Sequence, residues 1–372
     1  MKKVLIFYTS IGQGHKTIAE NIGWHLERAG MEVKLVDSLK NENKLIDKLA
    51  TGVYKKMIQW FPFFWNWLYV SAFVHKITTP LRVPLAGGQA KETLRVIDEF
   101  KPDLVITTQI VSSAAVSGLK TQGLFKGLFA IALSDFHFHP MWAYSNADAY
   151  LVNIQEQKDE LISMGVNKKS IFVCGITLKY ETKIDVAEIK NKLGINTEEK
   201  VVLVSAGSQG YFFPEVLVRE LASLQNIKVL VVCGNNDELS NKLELEYRES
   251  KNIKVFGYYS PMAELYVVTD LFLTKPGGLS VAEALQNNLP ILITHSMPGQ
   301  ESLNTQYLTK KHLVLDLQNL GISEIVIRIK EELASSALKI RLGTTADRKM
   351  LVDLDLSEPR VVKAVKALFH GL

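Results

Sequence analysis

Between Thr9 and Ile22 the chain reads TSIGQGHKTIAENI, two glycines and a histidine packed into four positions. Gly12 and Gly14 let the backbone turn tightly, and a helix beginning near Gly14 would present free N–H groups and a partial positive charge to an anion. His15 stands at the mouth of that helix, and an imidazole titrating near neutrality can take up a proton. A plain strand-to-helix turn explains the glycines equally well; the placement of His15 toward the strand ends rather than a core is what argues for chemistry. The spacing is not the six-residue dinucleotide fingerprint, and Asp37 is the only acid near the end of the next strand, so a nicotinamide cofactor is not expected.

The second half repeats the theme. SAGSQG (205–210) is a further glycine turn after an apolar run. LTKPGGLSVAEAL (273–285) places Pro276, Gly277 and Gly278 before a helical stretch, where a diphosphate could approach the backbone closely. Glu283, one turn further on, suits the hydroxyls of a ribose. PGQESLNTQYL (298–308) then gathers Gln300, Glu301 and Asn304 at another strand exit. No paired aspartates of the D-x-D kind stand at a strand exit, so no divalent metal and no bound cofactor is expected.

These groups need a scaffold that brings strand ends together. Short β-branched runs alternate with helical segments: 3–9, 32–37, 103–108, 128–133, 149–153 and 171–175, then 201–207, 228–234, 253–257, 270–275, 290–294 and 312–316. That alternation predicts parallel sheets covered by helices, an α/β class with two doubly wound units. A chain of 372 residues, 47% hydrophobic and 22% charged, holds two such cores. The charged stretch from Gly175 to Lys200 reads as linker and leading helix, giving an N-terminal domain over 1–175 and a C-terminal domain over 176–372. Ligands gather at strand carboxyl ends, so a cleft shared by the two domains is the expected site.

The formal charge of +4 accommodates anionic lipid or nucleotide but does not predict a nucleic-acid partner. Cys174 and Cys233 lie far apart and outside any metal spacing, which argues against a disulfide framework. The apolar run of MKKVLIFYTS stops at Tyr8, too short for a secretory segment, and a reduced cytoplasmic setting is expected.

SIGQGH, SDFHFHPMW (134–142), GYYSPMAELYVVTDLFLTKPGGLSVAEAL (257–285) and MPGQESLN (297–304) resemble the monogalactosyldiacylglycerol synthases and bacterial diacylglycerol glucosyltransferases of glycosyltransferase family 28. The resemblance implies a GT-B architecture, two Rossmann-like domains facing across a cleft, with the acceptor on the first, a UDP-sugar on the second and a last helix (roughly 357–370) that packs back on the first. It implies inverting, metal-independent transfer of a hexose, glucose favoured over galactose, from UDP-glucose or UDP-galactose to diacylglycerol. By this likeness Gly207, Ser208 and Gly210 form a donor turn, although SAGSQG is less glycine-rich than the family's form. The backbone near Tyr258 and Tyr259, with Met262, holds uracil; Lys275, Gly277, Gly278 and Leu279 surround the diphosphate; Glu283 takes the ribose. Gln300 and Glu301 hold the sugar hydroxyls with Asn304 behind them. Gly12, Gly14 and His15 match the acceptor loop, and Asp135, His139 and Trp142 a second acceptor-side segment, in which His139 and Trp142 read equally well as packing residues. His15 is the expected base, with Asp135 orienting it or acting in its place. A polyprenyl-linked acceptor and a non-catalytic UDP-sugar sensor are the alternatives.

One stretch remains. QWFPFFWNWLYV (59–70) carries Trp60, Trp65 and Trp67, and no charge occurs from Met57 to Val74, with Lys55 and Lys56 before it and His75, Lys76 and Arg82 after. Pro62, Gln59, Asn66 and Ser71 interrupt it as a membrane span, and tryptophan and tyrosine favour the membrane–water boundary. A buried core helix is the competing reading. With a diacylglycerol acceptor, an interfacial segment fits: its aromatics dock the first domain on the inner face of the cell membrane, and its basic flanks meet anionic lipids.

Overall fold

The structure, a computed structural model, describes residues 1–9, 13–38, 67, 69, 71–85, 87–179, 184–210, 213–335, 351–353, 355 and 357–371. The chain divides into two compact units, Met1–Lys179 with Pro298–Gln300 and Lys349–Leu372, and Tyr180–Met297 with Glu301–Arg348.

The first unit runs β1 (Lys3–Tyr8), α1 (Gln13–Arg28), β2 (Glu32–Asp37), α2 (Ala72–Leu85), α3 (Gly87–Phe100), β3 (Leu104–Thr107), α4 (Ile110–Thr121), β4 (Leu128–Ala132), β5 (Ala149–Val152), α5 (Gln155–Ser163) and β6 (Ile171–Val173). Its sheet is parallel in the order β2-β1-β3-β4-β5-β6. Val4, Leu5 and Ile6 are all fully buried, so both faces of β1 are covered, which is why the run is continuously apolar rather than alternating. Order reverses at β1, whose neighbours are β2 and β3, and the crevice at their carboxyl ends is the natural ligand position.

The second unit runs α6 (Val186–Leu193), β7 (Lys200–Ser205), α7 (Glu215–Ala222), β8 (Ile227–Val232), α8 (Asp237–Glu246), β9 (Ile253–Phe256), α9 (Ala263–Tyr266), β10 (Leu271–Thr274), α10 (Gly278–Gln286), β11 (Ile291–Ile293), α11 (Gln300–Lys310), β12 (Leu315–Asp316) and α12 (Ile322–Ala334). Its parallel sheet is ordered β12-β11-β10-β7-β8-β9, the doubly wound arrangement with its reversal between β7 and β10. Asp185 caps α6 by accepting from the Ala187 and Glu188 amides, and Gly194 ends it in the left-handed conformation, as the charged stretch suggested.

The division departs from the expected boundary at 175. Ile176 N donates to Leu351 O (2.8 Å), Asn21 Nδ2 to Thr177 O (2.9 Å), and His25 Nε2 bonds Leu178 O (2.8 Å), so the strand-like segment through Lys179 stays with the first unit. Residues beyond 348 return there too. The last helix, α13 (Arg360–Phe369), packs Val361, Val362, Ala364, Val365 and Leu368 inward and touches α1 and β5. Its first residue closes on the buried Asp353, Arg360 Nε reaching Oδ1 at 3.3 Å.

Candidate active site

The first half-site is built where β1 and β3 end. His15 is the third residue of α1, and Thr108, just past β3, donates its hydroxyl to the His15 carbonyl (3.1 Å). Gly14 beside it has open space where a Cβ would stand. Gly12 lies outside the described residues. Nδ1 of His15 is enclosed and has no hydrogen-bond partner among the described residues. Burial drives the imidazole pKa below its ordinary value of 6.5, while the Asp135 charge and the Thr108 backbone pull it upward. A histidine held neutral with an acceptor nitrogen in reserve is what proton abstraction requires.

Asp135 comes from the loop after β4, and the fold fixes that loop with two buried amides. Asn153 Nδ2 donates to Leu133 O (3.1 Å) and Asp135 O (2.9 Å). Gln157, fully buried on α5, donates from Nε2 to Asp135 O and His137 O (both 2.8 Å) and accepts the Asn153 amide on Oε1 (2.8 Å). Ser134 Oγ reaches Asp135 Oδ2 at 2.9 Å. The carboxylate is thereby held within electrostatic reach of His15.

His139 and Trp142, matched to the acceptor-side segment or to packing, are both buried. His139 is 5% exposed, accepts the Met141 amide on Nδ1 (3.3 Å) to cap a short 3-10 turn over Pro140–Trp142, and bonds Tyr69 O through Nε2 (3.1 Å). Trp142 is 8% exposed and belongs to the core that includes Leu133 and Tyr144. Arg82 is likewise unavailable to lipid headgroups. Its guanidinium stacks 3.8 Å from the Tyr144 ring centroid and donates to the carbonyls of Pro140 (3.3 Å), Met141 (3.1 Å) and Ala143. Of the three tryptophans in the aromatic stretch, Trp60 and Trp65 lie outside the described residues. Trp67 is helical and 51% exposed. Tyr69 turns inward, its hydroxyl 2.9 Å from His137 Nε2.

The second half-site lies on β7, β10 and β11. Gly207 adopts a φ of +72°, and a Cβ there would stand 2.4 Å from Lys275 Cε, so only glycine permits the lysine stem to cross the turn. Ser208 continues the turn, and Gly210, at φ +63°, closes it through its amide on Gly207 O (3.2 Å). Lys275 Nζ pairs with Glu301 Oε1, whose other oxygen accepts the Met297 amide (2.7 Å). Glu301 therefore begins committed to the lysine rather than to a sugar. Gly277 precedes α10 with nothing within 4 Å of a built Cβ, and Gly278 and Leu279 open the helix. Asn304, fully buried, donates to Pro276 O (3.0 Å) and so shapes the glycine turn from behind. Glu283 accepts from the buried Tyr266 hydroxyl (3.1 Å). Tyr258 is exposed past β9, Tyr259 donates to Glu264 (2.6 Å), and Met262 leads into α9. Gln300 begins α11 and groups by its contacts with the first unit.

Buried polar atoms normally find partners, so the exceptions stand out. Among the described residues these are Thr9 Oγ1, His15 Nδ1, Gln89 Oε1, Thr274 Oγ1 and His295 Nε2. Four of the five stand at the carboxyl ends of β1, β10 and β11 or on the helix after β1. Asn153, Gln157, Tyr266 and His295 were missed by sequence reasoning. Only His295, in a strand exit directly before MPGQE, carried a readable signal.

The two halves each match a family model: residues 15–178 that of monogalactosyldiacylglycerol synthase, residues 201–351 the glycosyltransferase family 28 C-terminal domain. A processive diacylglycerol beta-glucosyltransferase of Bacillus mycoides is 31% identical over 316 residues, covering 83% of this chain and 80% of that one. Among solved structures, the glycotransferase of kitacinnamycin superposes with a TM-score of 0.67 at 14% identity, covering 100% of this chain and 99% of its own. Arabidopsis thaliana UGT89C1 complexed with UDP gives 0.65 at 14%, with the same coverage. The two Rossmann-like units are those of the GT-B fold. The chain belongs to glycosyltransferase family 28, with the monogalactosyldiacylglycerol synthases and processive diacylglycerol glucosyltransferases.

Proposed function

We propose that the protein is an inverting glycosyltransferase that moves a hexose, glucose in preference to galactose, from a UDP-sugar to diacylglycerol. The observation that carries this reading is the likeness to the Bacillus mycoides diacylglycerol glucosyltransferase over four-fifths of both chains, with a diacylglycerol-type domain model on the first half. His15 takes the proton of the acceptor hydroxyl as the oxygen attacks the anomeric carbon, and Asp135 stabilises the imidazolium that forms. A base with a pKa near the working pH contributes about 100- to 10,000-fold. The departing UDP gathers negative charge, which Lys275 and the amides opening α10 offset as fixed positive groups. Those groups supply the charge that a divalent ion would otherwise bring, so the reading requires no metal. Glu283 fits a ribose, and the Gly277 opening lets a diphosphate approach the backbone.

Among the described residues no helix is long and apolar enough to cross a membrane. A diacylglycerol acceptor stays in the bilayer, so the enzyme works at its surface, with the exposed Trp67 as one contact. The test is to incubate the protein with labelled UDP-glucose, UDP-galactose or UDP-N-acetylglucosamine and vesicles of diacylglycerol or a polyprenyl phosphate. Glucosyl-diacylglycerol is the expected product. A polyprenyl-linked product, or binding without turnover, would overturn the reading.

A further inference from the structure

His295 follows β11 at its carboxyl end, in the corner already occupied by Lys275 and Glu301. Its Nδ1 lies 2.9 Å from Thr294 Oγ1, and its Nε2 is enclosed without a partner among the described residues. On the adjoining strand Thr274 Oγ1 is orphaned in the same way, one residue before Lys275. Two unsatisfied polar atoms on neighbouring strand ends, with the His295 ring within electrostatic reach of Lys275, describe a place for an oxygen-rich anion. Burial and the nearby Lys275 charge lower the His295 pKa to about 4, so the ring is neutral at physiological pH and one nitrogen carries the proton. In the tautomer in which Nδ1 accepts from the Thr294 hydroxyl, that proton sits on Nε2, the nitrogen that lacks a partner among the described residues.

We propose that His295 is a donor-site residue whose Nε2–H donates to the diphosphate of the bound nucleotide, with the Thr294 hydroxyl fixing the tautomer that makes it a donor. The assignment rests on the reading of the protein as a UDP-sugar enzyme. It adds a neutral, directional donor to the point charge of Lys275.

The test is calorimetric titration of the full-length chain with UDP and, separately, with uridine, which lacks the phosphates. His295→Ala should weaken UDP about 10- to 100-fold and leave uridine unchanged. His295→Gln, whose amide nitrogen reaches the place of Nε2, should restore most of the affinity; His295→Asn, whose amide stands nearer Nδ1, should not. Should the alanine variant fail to fold, the glutamine and asparagine pair carries the same comparison. Equal UDP affinity in His295→Ala and wild type would overturn the assignment and leave the UDP-sugar reading standing. So would a parallel loss of uridine, or equal behaviour of the Gln and Asn variants. A wild-type chain that binds no UDP at all would instead remove the functional reading, and the assignment with it.

Discussion

The side-chain amide of Gln157 spans the base of the Asp135 loop, donating to the Asp135 carbonyl at 2.8 Å while its oxygen accepts the Asn153 amide at 2.8 Å. No solvent reaches it. Replacing it with leucine removes a donor from the carbonyls of Asp135 and His137 and the acceptor of the Asn153 and Ile154 amides, while Asn153 Nδ2 still reaches the Asp135 carbonyl; each buried group left without a partner costs about 1–3 kcal/mol. Gln157→Leu should therefore lower the melting temperature and cut kcat, and, with the UDP-sugar on the second unit as proposed, leave its KM unchanged. Thermal melts and steady-state kinetics on the same preparation check it.

His15 predicts a pH profile with a definite sign. It acts as a base only when neutral, and its pKa lies below 6.5, so the acid limb of kcat/KM should fall below that pH. Asp135 raises the pKa, so Asp135→Asn should move the limb to still lower pH while reducing the plateau. A limb that shifts upward in the asparagine variant would remove Asp135 from its place beside the imidazole. His15→Ala should cut turnover at least 100-fold with little change in UDP affinity.

The pairing of Lys275 with Glu301 makes single and double replacements informative. Glu301 is 6% exposed, and Lys275→Ala would leave its carboxylate buried without a cation, at a cost of about 3–5 kcal/mol. The double variant Lys275→Ala/Glu301→Gln should recover much of that stability but none of the UDP affinity. Denaturant midpoints report the first and titration with UDP the second.

Trp67 and Arg82 separate a surface role from a structural one. Trp67→Ser should shift the protein from vesicle-bound to free in cosedimentation with diacylglycerol and anionic lipid, with its melting temperature held. Arg82→Gln removes the stack on Tyr144 and the bonds to three carbonyls, and should lower the melting temperature while leaving the bound fraction as it was. The reverse pattern would show the tryptophan to be internal.

The scaffold was legible because its signals are local. The described strands coincide with the apolar runs, those at the sheet centres such as β3 and β10 buried on both faces and edge strands such as β2 and β12 only partly covered, and the glycine turns at 207 and 277 stand at the strand ends where the spacing put them. The roles that escaped depend on partners far along the chain. Arg82 reads as a headgroup ligand until its bonds to carbonyls 58 to 61 positions away are seen. Trp142 reads as acceptor-side or packing alike until the core closes over it, and Gln157 carries no mark distinguishing it from the other polar residues of α5. The pairing of Glu301 with Lys275 is likewise something that spacing does not reveal.

Because Lys349–Leu372 complete the first unit, its polypeptide is not contiguous. During synthesis the ribosome must deliver the second unit before α13 can cover its seat on α1 and β5. The first unit is thus completed only at the end of synthesis, and a change in α13 will be felt at the helix that carries His15.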